Sequence, residues 1–357
     1  MIPAWSSLVR LTTSVSSPET WRPIWVRVFP TFIAIRLMEA DMIRSVWEAG
    51  RSWPIDGEPG MLLRMSEAVT ANILDGRELA DQVRQGLVDR IAQLADAGNP
   101  VRLDAVICGG NDAGSVYAAS QARTCGQMGM EYRLHELPKD VSQQQLLDVV
   151  EGLNDAQDVH AIMVHMPLPE GVDPDVVQSA IDPDKDVEGV NPANIGNVIY
   201  GRRSLLPCTA LAVMTMIEST GVPIKGCLAV CVGASRIVGR PVAVLLMQAE
   251  ATVVSTNVHT PDLASMTRQA DIIVSAAGVP SLVTGDMVRP GAVVIDVGIN
   301  RIKDPATGKA RTVGDVDLDS VARVASWVSP VPGGVGPVTV AMLLRNTVEA
   351  AERSIRN

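Results

Sequence analysis

A ten-residue run near the end of the chain constrains the fold most strongly. Residues Pro330 to Thr339 contain three prolines and three glycines within these ten positions. Proline fixes φ and lacks an amide donor, so the run cannot form the interior of a helix or of a central strand. The glycines leave the backbone bare, so a flat ligand can approach it closely. The run therefore predicts a rigid binding-site wall before the apolar segment Val340 to Leu344, with a stiff linker as the alternative.

Length and charge restrict the class of protein. The chain has 357 residues, which is enough for about two domains. Hydrophobic residues make up 47% of it and can fill a sizeable core. The net charge of −10 argues against a nucleic-acid partner, because phosphate contacts need clustered Lys and Arg.

The cysteines and histidines predict no metal site. The five cysteines contain no C-x-x-C pair, and the four histidines are scattered without the spacing of metal ligands. We therefore expect reduced, mostly buried thiols, no structural metal, and a cytoplasmic location.

The first 64 residues differ in composition from the rest of the chain. Five of the six tryptophans and both phenylalanines lie within the first 53 residues. This break indicates that residues 1–64 lie outside the globular protein. Either the start was assigned too early, with Met65 or Met61 as the initiator, or the segment is a disordered or partner-binding extension. It contains no uncharged apolar run long enough to cross a bilayer, so we expect no membrane association.

From Glu67 onward, helical and strand patterns alternate. A strand is predicted to end near Ile73, and further strands are predicted at 101–108, 132–137, 161–164, 228–232, 252–255, 272–275 and 293–297. Helices are predicted at 77–95, 116–128, 143–153, 241–247 and 338–355. This alternation is typical of parallel βαβ units, and it predicts an α/β protein with two domains.

A glycine-containing turn follows the predicted strand 228–232. Gly233 permits a tight turn, Gly239 permits close helix–strand packing, and the helix N-terminus offers N–H groups to a pyrophosphate. Ser235 occupies the position of the second glycine in G-x-G-x-x-G, so an ordinary βα turn is the alternative.

Two further turns end strands on the same side of the predicted sheet. Ala276 to Pro280 and Asp296 to Asn300 could line a nicotinamide with bare backbone, although either could be an ordinary turn. No Asp or Glu ends the strand 252–257, where a ribose-binding carboxylate would be expected for NAD.

These segments, in this order, resemble the FolD-type family of methylenetetrahydrofolate dehydrogenase/methenyltetrahydrofolate cyclohydrolases. The resemblance extends from Ile73 to about Val348. Its most specific parts are Pro330 to Thr339, Gly233 to Pro241, Gly291 to Asn300 and Gly314 to Asp317, with further matches at Lys185 to Gly189 and Pro207 to Thr209.

The resemblance implies a domain organisation and a function. An α/β catalytic domain is expected at 65–209, completed by the C-terminal helix within 338–357, with a Rossmann-like NAD(P)-binding domain at 210–337. The family oxidises the methylene bridge of a folate by hydride transfer to NADP and then hydrolyses the methenyl cation, in the one-carbon metabolism that supplies purine biosynthesis. It forms homodimers and binds tetrahydrofolate derivatives.

The resemblance also assigns site residues. Tyr117, Gln121, His165 and Glu188 occupy the positions of the family's catalytic residues. Folate contacts are implied for Tyr117, Glu188, Pro332, Gly333 and Gly334, and cofactor contacts for Gly233, Ala234, Ser235 and Ile299.

Three of the catalytic positions depart from the family pattern. Gln121 replaces the lysine of Tyr-x-x-x-Lys and cannot exchange a proton near neutral pH. His165 replaces the glutamine that partners this lysine; it could act as a substitute base, or it could only stack or hydrogen-bond. Glu188 replaces an aspartate and keeps a carboxylate for the pterin edge, but its extra methylene must shift the ring or the backbone.

The cofactor could be NADP or NAD. Ala234 and Val258 occupy positions where many family members carry an arginine and a serine that bind the 2′-phosphate. Arg236, Arg240 or His259 could compensate.

Three functions are compatible with these residues. The first is an active dehydrogenase with impaired cyclohydrolase activity. The second is a non-catalytic folate- or nucleotide-binding paralogue, and the third is an enzyme for an altered pterin.

Overall fold

The computed structural model describes residues 70–109, 112–202, 204–303 and 308–355. The expectations for residues 1–64 lie outside this range. The described residues form two parallel sheets with surrounding helices, which confirms the two-domain α/β fold.

The strands are β1 (Asn72–Ile73), β2 (Arg102–Cys108), β3 (Glu131–Leu137), β4 (Ala161–Val164), β5 (Leu228–Val232), β6 (Thr252–Thr256), β7 (Ile272–Ser275), β8 (Val293–Asp296), β9 (Asn300–Lys303), β10 (Ala310–Val313) and β11 (Trp327–Val328).

The helices are α1 (Gly76–Asp96), α2 (Asp112–Gln127), α3 (Gln143–Asp155), α4 (Pro174–Ala180), α5 (Pro192–Tyr200), α6 (Cys208–Ser219), α7 (Gly239–Gln248), α8 (Leu263–Thr267), α9 (Leu318–Val321) and α10 (Val335–Ser354). A 3₁₀ turn covers Gly285–Met287.

The first domain is built on a three-stranded parallel sheet in the order β3-β2-β4. Strand β2 lies in the middle of this sheet, and all seven of its residues are buried. Helix α2 packs against β2 and β3.

The second domain contains a six-stranded parallel sheet in the order β1-β11-β8-β7-β5-β6. The chain leaves β5 towards β6 on one side and continues with β7 and β8 on the other. The strand order therefore reverses beside β5, the position at which open α/β sheets bind ligands. The Gly233 turn begins directly after this strand.

Strand β1 joins the sheet of the second domain, although its place in the sequence lies within the expected range of the first. Asn72 pairs with Trp327 and Ile73 with Val328, in parallel. The described part of the chain therefore pairs first with the sheet of the second domain and continues into α1.

The last helix, α10, packs most extensively against α1 and α6. It begins at Val335, three positions earlier than predicted. Pro337 falls in the first turn, where its missing N–H has no intrahelical partner to lose.

None of the helices in the described part of the chain combines the length and apolar character needed to span a bilayer.

Candidate active site

Helix α2 carries Tyr117 and Gln121 one turn apart on the same face. Tyr117 is 41% exposed, whereas Gln121 is only 4% exposed. The Gln121 amide Nε2 lies 3.3 Å from Sδ of Met163, and its Oε1 is buried without a hydrogen-bond partner. A buried amide oxygen in this state costs free energy unless a ligand or water supplies a donor.

His165 follows β4 and is held by its backbone, whose N–H donates to the carbonyl of Val106 at 2.8 Å. Its imidazole packs edge-on against Tyr117, with ring centroids 5.7 Å apart and an interplanar angle of 86°. Burial lowers the pKa of His165, so the ring is neutral near pH 7. Its Nε2 is buried and has no hydrogen-bond partner among the described residues.

Asp186 and Glu188 have different environments although they are two residues apart. Asp186 is buried and accepts hydrogen bonds from the backbone N–H groups of Gly189 at 3.1 Å and Asn191 at 2.7 Å, and from Nδ2 of Asn194 at 3.0 Å. These bonds fix the turn that presents Glu188.

The Glu188 carboxyl forms no hydrogen bond or ion pair with any described residue. Burial, with a smaller contribution from the Asp186 carboxylate, raises its pKa to about 7. The pKa of Tyr117 is also raised, first by burial and then by the charge of Glu188, which indicates that the two side chains are close. A carboxyl without a protein partner, beside an aromatic ring, can accept hydrogen bonds from a ligand.

Helix α10 reaches this region through Asn346, a residue that sequence reasoning missed. Its Nδ2 donates to the carbonyls of Val187 at 2.8 Å and Leu206 at 2.9 Å. Cys208, at the start of α6, is tied to the same turn because its Sγ donates to the Val187 carbonyl at 3.0 Å. The only sequence signal was a polar side chain on a face of α10 that is otherwise apolar.

The loop Pro330 to Gly334 packs against the start of α1, whereas Val335 to Thr339, expected to be non-helical, form the first part of α10. The N–H of Gly76 donates to the carbonyl of Gly333 at 2.9 Å. A side chain at Gly76 would overlap the carbonyl oxygen of Gly334, and a side chain at Gly334 would overlap that of Pro330. The loop is therefore held rigidly against α1, as a wall would be, while folate binding by Pro332, Gly333 and Gly334 stays a prediction.

The Gly233 turn is equally tight. Gly233 has φ of 104°, and a side chain there would overlap the carbonyl of Ala276. A side chain at Gly239 would overlap the carbonyl of Gly233. Ser235 Oγ accepts hydrogen bonds from the N–H groups of Val238 at 3.3 Å and Gly239 at 3.2 Å, which shapes the loop before α7.

The basic side chains near this turn differ from one another in their partners and exposure. Arg236 forms an ion pair with Asp175 of α4, and Arg240 Nε donates to the Ala234 carbonyl at 3.0 Å. His259 is exposed, and Val258 is 91% exposed just beyond β6.

The turns after β7 and β8 are connected by Asp315. Its carboxylate accepts hydrogen bonds from the N–H groups of Ala277 at 2.7 Å and Gly278 at 3.0 Å, and from Nδ2 of Asn300 at 2.9 Å. Ile299 projects from the second turn and is 74% exposed. The two turns therefore stand together at one edge of the sheet, beside the Gly233 loop.

No group of three or more His, Cys, Asp or Glu side chains in the described part of the chain is arranged to hold a metal ion.

Comparison with known proteins identifies both domains. Residues 74–188 match the model of the tetrahydrofolate dehydrogenase/cyclohydrolase catalytic domain, and residues 207–355 match that of its NAD(P)-binding domain. The bifunctional protein FolD of Moorella thermoacetica is 45% identical over 283 residues, which are 79% of this chain and 99% of the relative.

Solved structures give the same result. The bifunctional FolD enzyme of Campylobacter jejuni superimposes with a TM-score of 0.76 at 40% identity, covering 79% of this chain and 99% of that one. The Trypanosoma brucei methylenetetrahydrofolate dehydrogenase-cyclohydrolase, solved with NADP and an inhibitor, gives a TM-score of 0.75 at 39% identity over 81% and 99% of the two chains.

Proposed function

This chain belongs to the tetrahydrofolate dehydrogenase/cyclohydrolase family, and we propose that it is chiefly a dehydrogenase whose cyclohydrolase activity is impaired. It is an enzyme of one-carbon folate metabolism that uses NAD or NADP to oxidise 5,10-methylenetetrahydrofolate to 5,10-methenyltetrahydrofolate. The proposal concerns the second reaction, hydrolysis to 10-formyltetrahydrofolate. One observation carries it: the side chain at the position of the family's proton-transferring lysine is the buried, neutral amide of Gln121.

The Gly233 turn fits a dinucleotide. Its bare backbone and positive φ allow a pyrophosphate to approach the N-terminal N–H groups of α7. We assign Gly233, Ala234 and Ser235 to the pyrophosphate and Ile299 to the nicotinamide side of the site. When bound, NAD(P) supplies a hydride acceptor, and the residues of the chain hold this acceptor in position.

The residues on the folate side can orient a pterin without proton chemistry. The edge-on pair of Tyr117 and His165 gives one wall. The Glu188 carboxyl forms no hydrogen bond with the described residues and can accept hydrogen bonds from an aminopyrimidinone edge. Hydride transfer mainly requires that the donor carbon and the acceptor be held face to face, so these residues suffice for the oxidation.

Hydrolysis requires more of the protein. Addition of water to the methenyl carbon releases a proton that a nearby base must accept. Gln121 cannot accept it. The His165 ring is buried, neutral and without a carboxylate to orient it, which favours a packing role over a role as proton shuttle.

We further propose that the protein acts in the cytoplasm as a homodimer. The family resemblance supports both statements. Strand β3 forms an edge of its sheet, with exposed side chains at alternate positions, and provides a surface that a second copy can cover. Light scattering coupled to size exclusion tests the oligomeric state.

Two assays on the full chain test the main proposal. In the first, methylenetetrahydrofolate is supplied with NADP or with NAD and cofactor reduction is followed. In the second, preformed methenyltetrahydrofolate is supplied and its enzyme-dependent decay is followed, with a family member that carries the lysine as the positive control.

We expect cofactor reduction with methenyl decay close to the uncatalysed rate, and the cofactor that works identifies the selectivity. Methenyl decay as fast as in the lysine-containing control would refute the impairment. Folate binding without reduction of either cofactor would instead support the non-catalytic paralogue or the enzyme for an altered pterin.

A further inference from the structure

Two buried polar atoms in the candidate site have no hydrogen-bond partner among the described residues. They are Oε1 of Gln121 and Nε2 of His165, on side chains that are 4% and 6% exposed. Tyr117 contacts the His165 ring and also interacts with the Gln121 side chain, so both atoms belong to one site. Buried polar atoms in native proteins are normally paired, so a ligand is expected to meet these two.

The side chains around Gln121 lack a positively charged partner among the described residues, whereas the guanidinium of Arg77 lies beside the loop, with Cζ and Nη2 3.8 Å from the position of a Cβ on Gly333. No Lys or Arg side chain in the described part of the chain forms a hydrogen bond or an ion pair with Tyr117, Gln121, His165 or Glu188. Their pKa values agree with this. Burial, Glu188, Cys208 and Gln121 shift the pKa of Tyr117, and burial and Asp186 shift that of Glu188. Burial alone shifts the pKa of His165, so no Lys or Arg is among the causes.

Lys185, the lysine nearest to Glu188 in the sequence, forms its hydrogen bonds outside the site. Its Nζ donates to the carbonyls of Leu153 at 3.1 Å and Ala156 at 2.8 Å, at the end of α3. Arg123, two residues after Gln121 on α2, is exposed. Among the acidic groups, the carboxyl of Glu188 interacts with Tyr117, and that of Asp186 interacts with Glu188.

The oxidation changes the charge of the folate. The methylene carbon between N5 and N10 loses a hydride to NAD(P), and the neutral bridge becomes a cation shared by the two nitrogens and the carbon. This inference rests on the proposed function, which places that bridge beside Gln121.

We propose that this site discriminates folates by the charge of the one-carbon bridge, that it holds the cationic methenyl product more tightly than folates without a positive bridge, and that Gln121 sets this preference. The amide oxygen of Gln121 presents a partial negative charge where the family has an amine that can carry a positive one. A positive charge near a bound cation weakens its binding, and a fixed dipole of the right sign strengthens it.

A consequence concerns the reaction that follows. A product that leaves as the methenyl cation must be consumed by a separate hydrolytic reaction that adds water to the amidinium carbon.

Equilibrium binding tests the preference independently of turnover. Isothermal titration near neutral pH compares freshly dissolved 5,10-methenyltetrahydrofolate with tetrahydrofolate, which has the same pterin but no positive bridge. The proteins are the full-length wild type, Gln121→Lys, Gln121→Met and, as a matched control on the same helix, Arg123→Gln. Thermal denaturation of each verifies folding.

We expect the wild type to bind the methenyl form about tenfold more tightly than tetrahydrofolate. Gln121→Lys should weaken methenyl binding by about tenfold and leave tetrahydrofolate binding within about threefold, and Arg123→Gln should change neither. Gln121→Met removes the amide oxygen without adding a charge, and it should weaken methenyl binding selectively by a smaller factor, which keeps the test valid if a buried lysine prevents folding.

Equal affinity of the wild type for both folates, or equal losses for both in the Gln121 variants, would overturn the charge preference while leaving the proposed function intact. Failure of the wild type to bind either folate would remove the proposed function itself.

Discussion

Arg236 and Asp175 form a two-point ion pair that joins the two domains. Nη1 of Arg236 lies 2.7 Å from Oδ2 of Asp175, and Nη2 lies 2.9 Å from Oδ1. Arg236 belongs to the Gly233 loop, and Asp175 lies in the first turn of α4. The pair therefore places a carboxylate beside the loop assigned to the pyrophosphate and occupies a guanidinium that could otherwise face a phosphate.

Removing this carboxylate should favour the more negative cofactor. In Asp175→Asn, Arg236 is released and the repulsion of phosphate falls, so we expect KM for NADP to decrease by about two- to fivefold and KM for NAD to change less. The thermal midpoint should hardly change, because both side chains are exposed. Steady-state kinetics with both cofactors measures the effect.

The control is another exposed ion pair far from the loop, between Lys225 and Glu250. Lys225→Gln should leave both KM values unchanged. An increase of KM for NADP in Asp175→Asn would show that the pair orders the loop for binding.

Glu188 should make the stability of the fold depend on pH. Its pKa rises from 4.5 to about 7 on folding, so the folded protein binds this proton more tightly than the unfolded chain. The contribution is present at low pH, and the free energy of unfolding falls as pH increases from about 4.5 to about 7. Glu188→Gln removes this decline and should raise the free energy of unfolding by about 2 kcal/mol above that range.

Urea denaturation at a series of pH values checks this expectation. Asp296 also has a raised pKa, of about 6, so the difference between wild type and variant is the informative quantity. A difference that does not vary with pH would mean that Glu188 is solvated in the folded protein.

Restoring the family's lysine should not by itself restore hydrolysis. In Gln121→Lys, the amine faces His165 instead of the glutamine that partners it in the family, so we expect methenyl decay to stay below that of a lysine-containing relative by about tenfold or more. The double variant Gln121→Lys/His165→Gln should be faster than either single variant. A full rate in the single lysine variant would show that His165 supports the amine as well as glutamine does.

Two glycines of α1 should respond oppositely to alanine. Gly76 meets the carbonyl of Gly334, so Gly76→Ala must displace the loop and should destabilise the protein by about 2 kcal/mol or more. Gly86 has nothing within 4 Å of the position of a Cβ, and Gly86→Ala should stabilise by about 0.5–1 kcal/mol through helix propensity. Urea denaturation of the two variants measures both effects, and similar losses in the two would contradict the contact with the loop.

The sequence predicted the buried strands well because their signal is local. Strands β4, β5 and β7 have the predicted bounds, each being a short apolar run closed by polar or glycine residues. Helix α2 begins at Asp112, four residues before the predicted start at Val116. The prediction used apolar periodicity, which begins after the first turn of this helix, so that turn was not predicted.

Partners far apart in sequence were beyond such reasoning. The pairing of β1 with β11, which joins Asn72 to Trp327, depends on tertiary context. The motif residues Tyr117, Gln121 and His165 could be grouped only through the family resemblance, and the structure places them side by side. Their roles stay predictions until the variants are measured.

The hydrogen bonds of Asn346 have a consequence for biosynthesis. Its amide reaches back 159 residues to Val187 and 140 residues to Leu206, so it closes long loops of the chain. A polypeptide emerging from the ribosome acquires the segment that carries Glu188 long before it acquires the side chain that anchors that segment. The candidate site is therefore finished late, and a nascent chain that already contains every motif around Tyr117 still lacks the contacts that anchor the segment with Glu188.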